Sequence, residues 1–115
     1  MMNRPPRVLA LFLAGFCMET AGADLGRIAA GRQLAFAPER GNCLACHAIA
    51  GGRQMGNLGP ALSAMRERFP RRAALRAKVW DAAAFNAETL MPPFGRHRIL
   101  SREEIELVID FLYSL

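Results

Sequence analysis

Residues Cys43-Leu44-Ala45-Cys46-His47 spell C-x-x-C-H, the attachment pattern of a c-type haem. Two thiols one helical turn apart share a face, so both can add to the two vinyl groups of one porphyrin. The adjacent histidine then offers an imidazole nitrogen to the iron. Two other chemistries use paired cysteines. A redox dithiol does not need the adjacent histidine. A zinc site needs two further ligands, and beyond residue 23 the chain has no other cysteine and only His97 as a second histidine. The expected cofactor is therefore one covalent haem c, bonded to Cys43 and Cys46, with His47 as the proximal iron ligand.

Haem iron held by one histidine has a sixth position, and its occupant decides the chemistry. A thioether saturates the iron and raises its potential, which suits electron transfer; an open site suits peroxide or gas chemistry. Beyond residue 23 the candidates are Met55, Met65 and Met91, with His97 as an imidazole option. Met91 is the best placed. It precedes Pro92, which biases it toward extended backbone, so its side chain can project from a loop. Pro92 and Pro93 also lower the entropy lost when the sulfur binds. Met65 shares a helical apolar pattern with Leu62 and Phe69 and fits a core position. Met55 lies in a glycine-rich loop near the attachment site, on the expected proximal side.

A metal-bound histidine normally donates its other ring N–H to a carbonyl or carboxylate. Gly59-Pro60 follows His47 closely enough for either carbonyl to serve, and that of Pro60 is preferred. Pro60 also suits the first position of a helix, and the two roles are compatible.

The elements that must hold these residues read as helices separated by Gly and Pro. A first helix is expected over 24–37, with Asp24 as cap and Pro38 just past its end. A short helix carries the cysteines. A glycine-rich loop runs over 51–60, and helices over 61–69 and 71–83 are broken by Pro70. Residues 90–100 read as an extended loop. Ser101 and Glu104 form a capping box for the last helix. There Ile105, Val108, Ile109 and Leu112 make one apolar stripe, and Leu107 and Phe111 lie off it, so burial on more than one side is expected. No segment alternates with period two. The expected fold is all-α, a small bundle wrapped around the cofactor.

Residues 1–23 read as a secretion signal. Arg4 and Arg7 precede an apolar run of eleven residues from Val8 to Met18, and Ala21-Gly22-Ala23 is a small-x-small cleavage site. The run is too short to cross a bilayer as a helix, which disfavours an uncleaved anchor. Phe16 before Cys17 does not fit a lipoprotein signal. The expected organisation is a cleaved signal over 1–23 and one domain over 24–115, exported to the periplasm and not inserted in the membrane. So short a domain has a small core, which a porphyrin would complete; the haem-free chain is expected to fold poorly.

The 24–115 segment carries thirteen Lys and Arg against nine Asp and Glu. Five arginines, at 66, 68, 71, 72 and 76, fall in one short stretch. They read either as a docking patch for an anionic partner or as a solvated helix face, the commoner outcome. Nucleic acid is disfavoured as a partner, because no recognition motif accompanies the charge. Arg96 and Arg98 flank the Met91 loop and could meet haem propionates or stay exposed. Trp80 could donate to a propionate or pack in the core.

Residues 41–115 resemble the class I cytochromes c. The blocks Gly41-Asn42-Cys43-Leu44-Ala45-Cys46-His47, Gly56-Asn57-Leu58-Gly59-Pro60-Ala61-Leu62 and Met91-Pro92-Pro93-Phe94-Gly95 resemble more particularly the small monohaem subunit of the SoxAX cytochrome complex. Val79-Trp80-Asp81, Arg96-His97, Leu100 and the Glu104-Ile105 helix extend the likeness. The resemblance implies a cytochrome c fold, with Cys43 and Cys46 on the haem, His47 proximal and Met91 distal. It implies a periplasmic electron-transfer subunit paired with a larger, catalytic haem subunit. That complex joins thiosulfate to a carrier cysteine (L-cysteine S-thiosulfotransferase activity), and the small subunit passes electrons to an acceptor cytochrome without being catalytic alone. The chain departs from longer members in its short N-terminal region and its lack of spare cysteines. Two other readings compete: a free-standing electron shuttle of the same fold, and a haem enzyme or sensor with an open sixth site, such as a peroxidase domain. Co-purification with a larger haem protein separates the first pair; the ferric spin state separates the last.

Overall fold

Ser101 Oγ accepts from the Glu104 amide at 3.1 Å, and Glu104 Oε2 accepts from the Ser101 amide at 2.8 Å. This reciprocal cap starts the C-terminal helix one residue later, at Arg102. The helix buries Ile105, Val108, Ile109, Phe111 and Leu112, so it is covered on more than one side, as its pattern implied. It is the hub of the core, and both longer helices that precede it pack on it.

The computed structural model describes Met2 and residues 18–115. Among the described residues the chain forms α1 (Met18–Phe36), α2 (Met65–Arg68), α3 (Arg72–Trp80) and α4 (Arg102–Leu112), with 3₁₀ turns at Cys43–Ala45 and Ala82–Ala84. There is no strand among them; one isolated parallel bridge joins Ile49 to Leu62. The all-α expectation holds.

The main packing is α1 across α4. A β-carbon added at Gly31 would collide with the Leu107 carbonyl oxygen. Glycine therefore lets the two backbones approach at their crossing, as it does wherever backbones come close. Beside the crossing, the Phe36 and Phe111 rings meet edge to face with centroids 5.6 Å apart, the geometry the ring quadrupoles favour. Ala35 and Ile109 are completely buried there. α3 packs on α4 through Leu75 and Val79.

Three helix boundaries differ from the sequence reading. Among the described residues α1 already runs from Met18, ahead of the expected start at Asp24. Residues 20–23 are exposed. The rest of the expected signal, apart from Met2, lies outside the described residues. The helix expected over 61–69 shrinks to α2, because Leu62 is drawn to the attachment segment and Ala64 enters the left-handed region at φ 50°. The helix expected over 71–83 ends at Trp80, where Asp81 turns extended at φ −156°. A 3₁₀ turn follows at Ala82–Ala84. The 90–100 loop is also not extended throughout. His97 donates to the Pro93 carbonyl at 2.9 Å and Leu100 to that of Phe94 at 3.0 Å, winding its second half into turns.

The arginine stretch makes contacts within the fold that neither the docking-patch nor the solvated-face reading specified. Arg72 binds Glu106 and Asp110 at 2.9 and 2.7 Å, and Arg76 binds Glu106. Arg66 donates to the Tyr113 carbonyl at 3.1 Å, and Arg68 to that of Ala61 at 2.7 Å. Arg27 of α1 reaches Asp110 at 2.7 Å from the opposite side. The two carboxylates of α4 thus tie α1 and α3 to the hub, and four of the five clustered arginines are used inside the fold.

Candidate functional site

The segment Ala37–Gly41 leaves α1 through a turn, and Asn42, in the left-handed conformation at φ 49°, starts the 3₁₀ turn that carries Cys43. The His47 amide donates to the Cys43 carbonyl at 2.9 Å, which holds the two ends of C-x-x-C-H in one compact turn. Cys43 and Cys46 are both free thiols and both half-buried. Cys43 packs against the core, and burial pushes its thiol up to about 11, since the thiolate loses its water.

The glycine-rich loop then folds back along this segment in register. Gly56 donates to the Leu44 carbonyl at 2.7 Å, Gly59 to that of Cys46 at 2.8 Å and Leu62 to that of Ala48 at 2.9 Å. The consequence is the placement of Pro60. Its carbonyl oxygen lies 2.6 Å from His47 Nδ1, the contact expected from the chemistry of a bound histidine. Gly59 is essential to that approach, because a β-carbon there would stand 2.6 Å from the same ring nitrogen. Pro60 does not begin a helix; residues 60–64 are irregular before α2.

Met91 sits half-buried against the core, with its amide donating to Thr89 Oγ1 at 3.2 Å. The other two thioethers are otherwise engaged. Met65 is 2% exposed in the core, with its sulfur 3.5 Å from Arg68 Nη1. The Met55 sulfur accepts from the Ile49 amide at 3.2 Å. No hydrogen bond holds the Met91 sulfur among the described residues. His97 is exposed. Arg96 pairs with Asp81 at 2.9 Å, and Trp80 is half-buried against the core with Arg102 over its ring at 5.2 Å.

These residues fit a covalent haem. The donors are two unbridged thiols, an imidazole fixed through Nδ1 with Nε2 free of hydrogen bonds among the described residues, and a thioether on a loop. Leu58 and Leu90, which precede Gly59 and Met91, are 73% and 78% exposed, apolar surface of the kind a porphyrin covers. Bound haem supplies one-electron exchange at its iron. No group of three or more His, Cys, Asp or Glu side chains gathers to hold an ion among the described residues. No helix among them is long and apolar enough to cross a membrane.

Sequence reasoning named both thiols, His47, Pro60 and Met91 as candidates, but not the steric role of Gly59 or the pairing of Asp81 with Arg96. The only sequence signal for the first was a glycine beside the accepting carbonyl; for the second there was none, since fifteen residues separate the partners.

Residues 26–112 match the family model described as cytochrome c oxidase, cbb3-type, subunit III. No curated protein matches the chain. The family match spans well over half the chain and contains the C-x-x-C-H turn, the Gly59-Pro60 loop and Met91. The chain belongs to this cbb3-type cytochrome c family, and is thus a class I c-type cytochrome with covalently attached haem c and an electron-transfer role.

Proposed function

We propose that this cytochrome is the exported monohaem subunit of a thiosulfate-oxidising complex of the SoxAX kind. It receives electrons from a larger catalytic haem subunit and passes them to an acceptor cytochrome. In this reading residues 1–23 direct export to the periplasm and are removed. Cys43 and Cys46 hold the haem by thioether bonds, His47 is the proximal iron ligand and Met91 the distal one. The observation that carries the ligand assignment is the split among the thioethers. Met65 is core and Met55 is hydrogen-bonded, whereas Met91 lies on a proline-stiffened loop with its sulfur uncommitted. An iron saturated by His47 and Met91 exchanges electrons without binding substrate, which disfavours the open-site enzyme reading. The assignment to the thiosulfate-oxidising complex rests on the three sequence blocks that resemble its small subunit.

Two measurements test this. The ferric protein should show the weak sulfur-to-iron band in the near-infrared, lost in Met91→Leu; a high-spin ferric spectrum in the wild type contradicts the ligand assignment. Affinity capture from periplasm should retrieve a larger haem protein, and thiosulfate with the carrier protein should reduce the captured haem. The family match favours a second reading, an electron carrier serving a cytochrome c oxidase. Capture of a membrane oxidase instead, with no thiosulfate-dependent reduction, supports that second reading.

A further inference from the structure

The loop bearing Met91 is fastened to the end of α3 by four contacts. The amides of Gly95 and Arg96 both donate to the Trp80 carbonyl, at 3.1 and 3.2 Å. Gly95 lies directly beneath the indole of Trp80, where a β-carbon would stand 2.7 Å from a ring carbon and closer still to others. Arg96 Nε pairs with Asp81 Oδ2 at 2.9 Å. Phe94, next to the fastening, is buried in the core.

We infer that Trp80, Asp81, Gly95 and Arg96 form a clamp that sets how tightly Met91 is held on the iron. The inference rests on the assignment of Met91 as the distal ligand. Asp81 is the sensitive partner. Among the described residues its Oδ1 is buried without a hydrogen bond, and the Arg96 guanidinium is the one side-chain partner of a carboxylate only 20% exposed. Removing Arg96 leaves that carboxylate unpaired, which costs more than the exposed pair itself contributes. The strain falls on the fastening between α3 and the loop, four to five residues from Met91, and not on the α1–α4 core. A loosened loop spends more time with the sulfur off the iron. An added ligand then binds more tightly in proportion to that open fraction. The four residues are positioning residues: none is required to touch the haem.

The test is imidazole titration of the ferric holoprotein, followed by loss of the near-infrared band. Arg96→Gln should raise the apparent imidazole affinity by roughly threefold or more, and Gly95→Ala should do the same or more. Arg96→Lys, which keeps the charge, should return most of the wild-type value. Glu106→Gln, which weakens the α3–α4 ion pairs far along the chain from the loop, should lower the thermal midpoint and leave imidazole affinity unchanged. The clamp is overturned if Arg96→Gln binds imidazole as the wild type does. It is overturned equally if Glu106→Gln loosens the ligand as much as Arg96→Gln, since affinity then follows global stability. A wild type without the band removes the Met91 assignment itself, a different failure from a wild-type band that Arg96→Gln leaves unmoved.

Discussion

His47 Nδ1 and the Pro60 carbonyl oxygen lie 2.6 Å apart, and the distance is set by backbone rather than by side chains. Three hydrogen bonds align residues 56–62 with residues 44–48, and Gly59 leaves the imidazole room to approach. The contact places the ring proton on Nδ1, which leaves Nε2 for the iron in the proposed reading. Gly59→Ala should displace the ring and cost about 1–3 kcal/mol, as overpacking does. Pro60→Ala keeps the carbonyl and should cost no more than about 1 kcal/mol. Denaturant titration of the two ferric holoproteins checks this ordering; equal losses, or a larger loss at Pro60, mean that the pyrrolidine ring and not the carbonyl matters.

The α1–α4 crossing depends on the bare backbone of Gly31 against Leu107. Gly31→Val should separate the helices and disturb the Phe36–Phe111 contact, with a loss of roughly 1–3 kcal/mol or more. The expected readout is a lowered thermal midpoint with the haem still attached.

The Ser101–Glu104 box should be worth a cap's usual amount. Ser101→Ala should lower stability by about 1 kcal/mol, measured by denaturant midpoint at constant slope. A neutral result indicates that α4 is held by packing alone.

Acid should act through α4. The Ser101 amide and the Arg40 guanidinium hold the Glu104 carboxyl below its ordinary 4.5 against the opposing effect of burial. Arg76 and Arg72 hold Glu106 below it in the same way. A carboxylate with a depressed folded-state pKa contributes stability that is present above its unfolded value and is lost as pH falls through the folded one. The protein should therefore lose stability below about pH 4.5. Glu106→Gln should cost up to about 1 kcal/mol at pH 7, given its half-exposed partners, and the gap from wild type should close as pH falls below 4.5. A gap that persists at pH 3 contradicts the ion-pair origin.

Most of the candidate site was named from the sequence because the proposed chemistry demands short, fixed spacings. C-x-x-C-H, the carbonyl after Gly59 and the proline-flanked Met91 are local patterns, and so is the capping box of α4. What was not legible came from contacts distant in sequence. The 61–69 stretch has a helical apolar pattern, yet the Leu62–Ala48 hydrogen bond claims its first turn. The arginines at 72 and 76 look like a solvent face until Glu106 and Asp110 are known to lie opposite. Trp80 ends α3 at a place no residue type announces, because its carbonyl is taken by the Met91 loop.

The attachment chemistry can be read from the intact mass of the exported chain after acidified-acetone extraction, which removes haem that is not covalently bound. With the proposed cleavage before Asp24, the expected mass is that of residues 24–115 plus one haem, with the added mass confined to the peptide containing Cys43 and Cys46 and absent when both are replaced by alanine. A polypeptide of unmodified mass, or haem that extracts freely, contradicts a covalent c-type site.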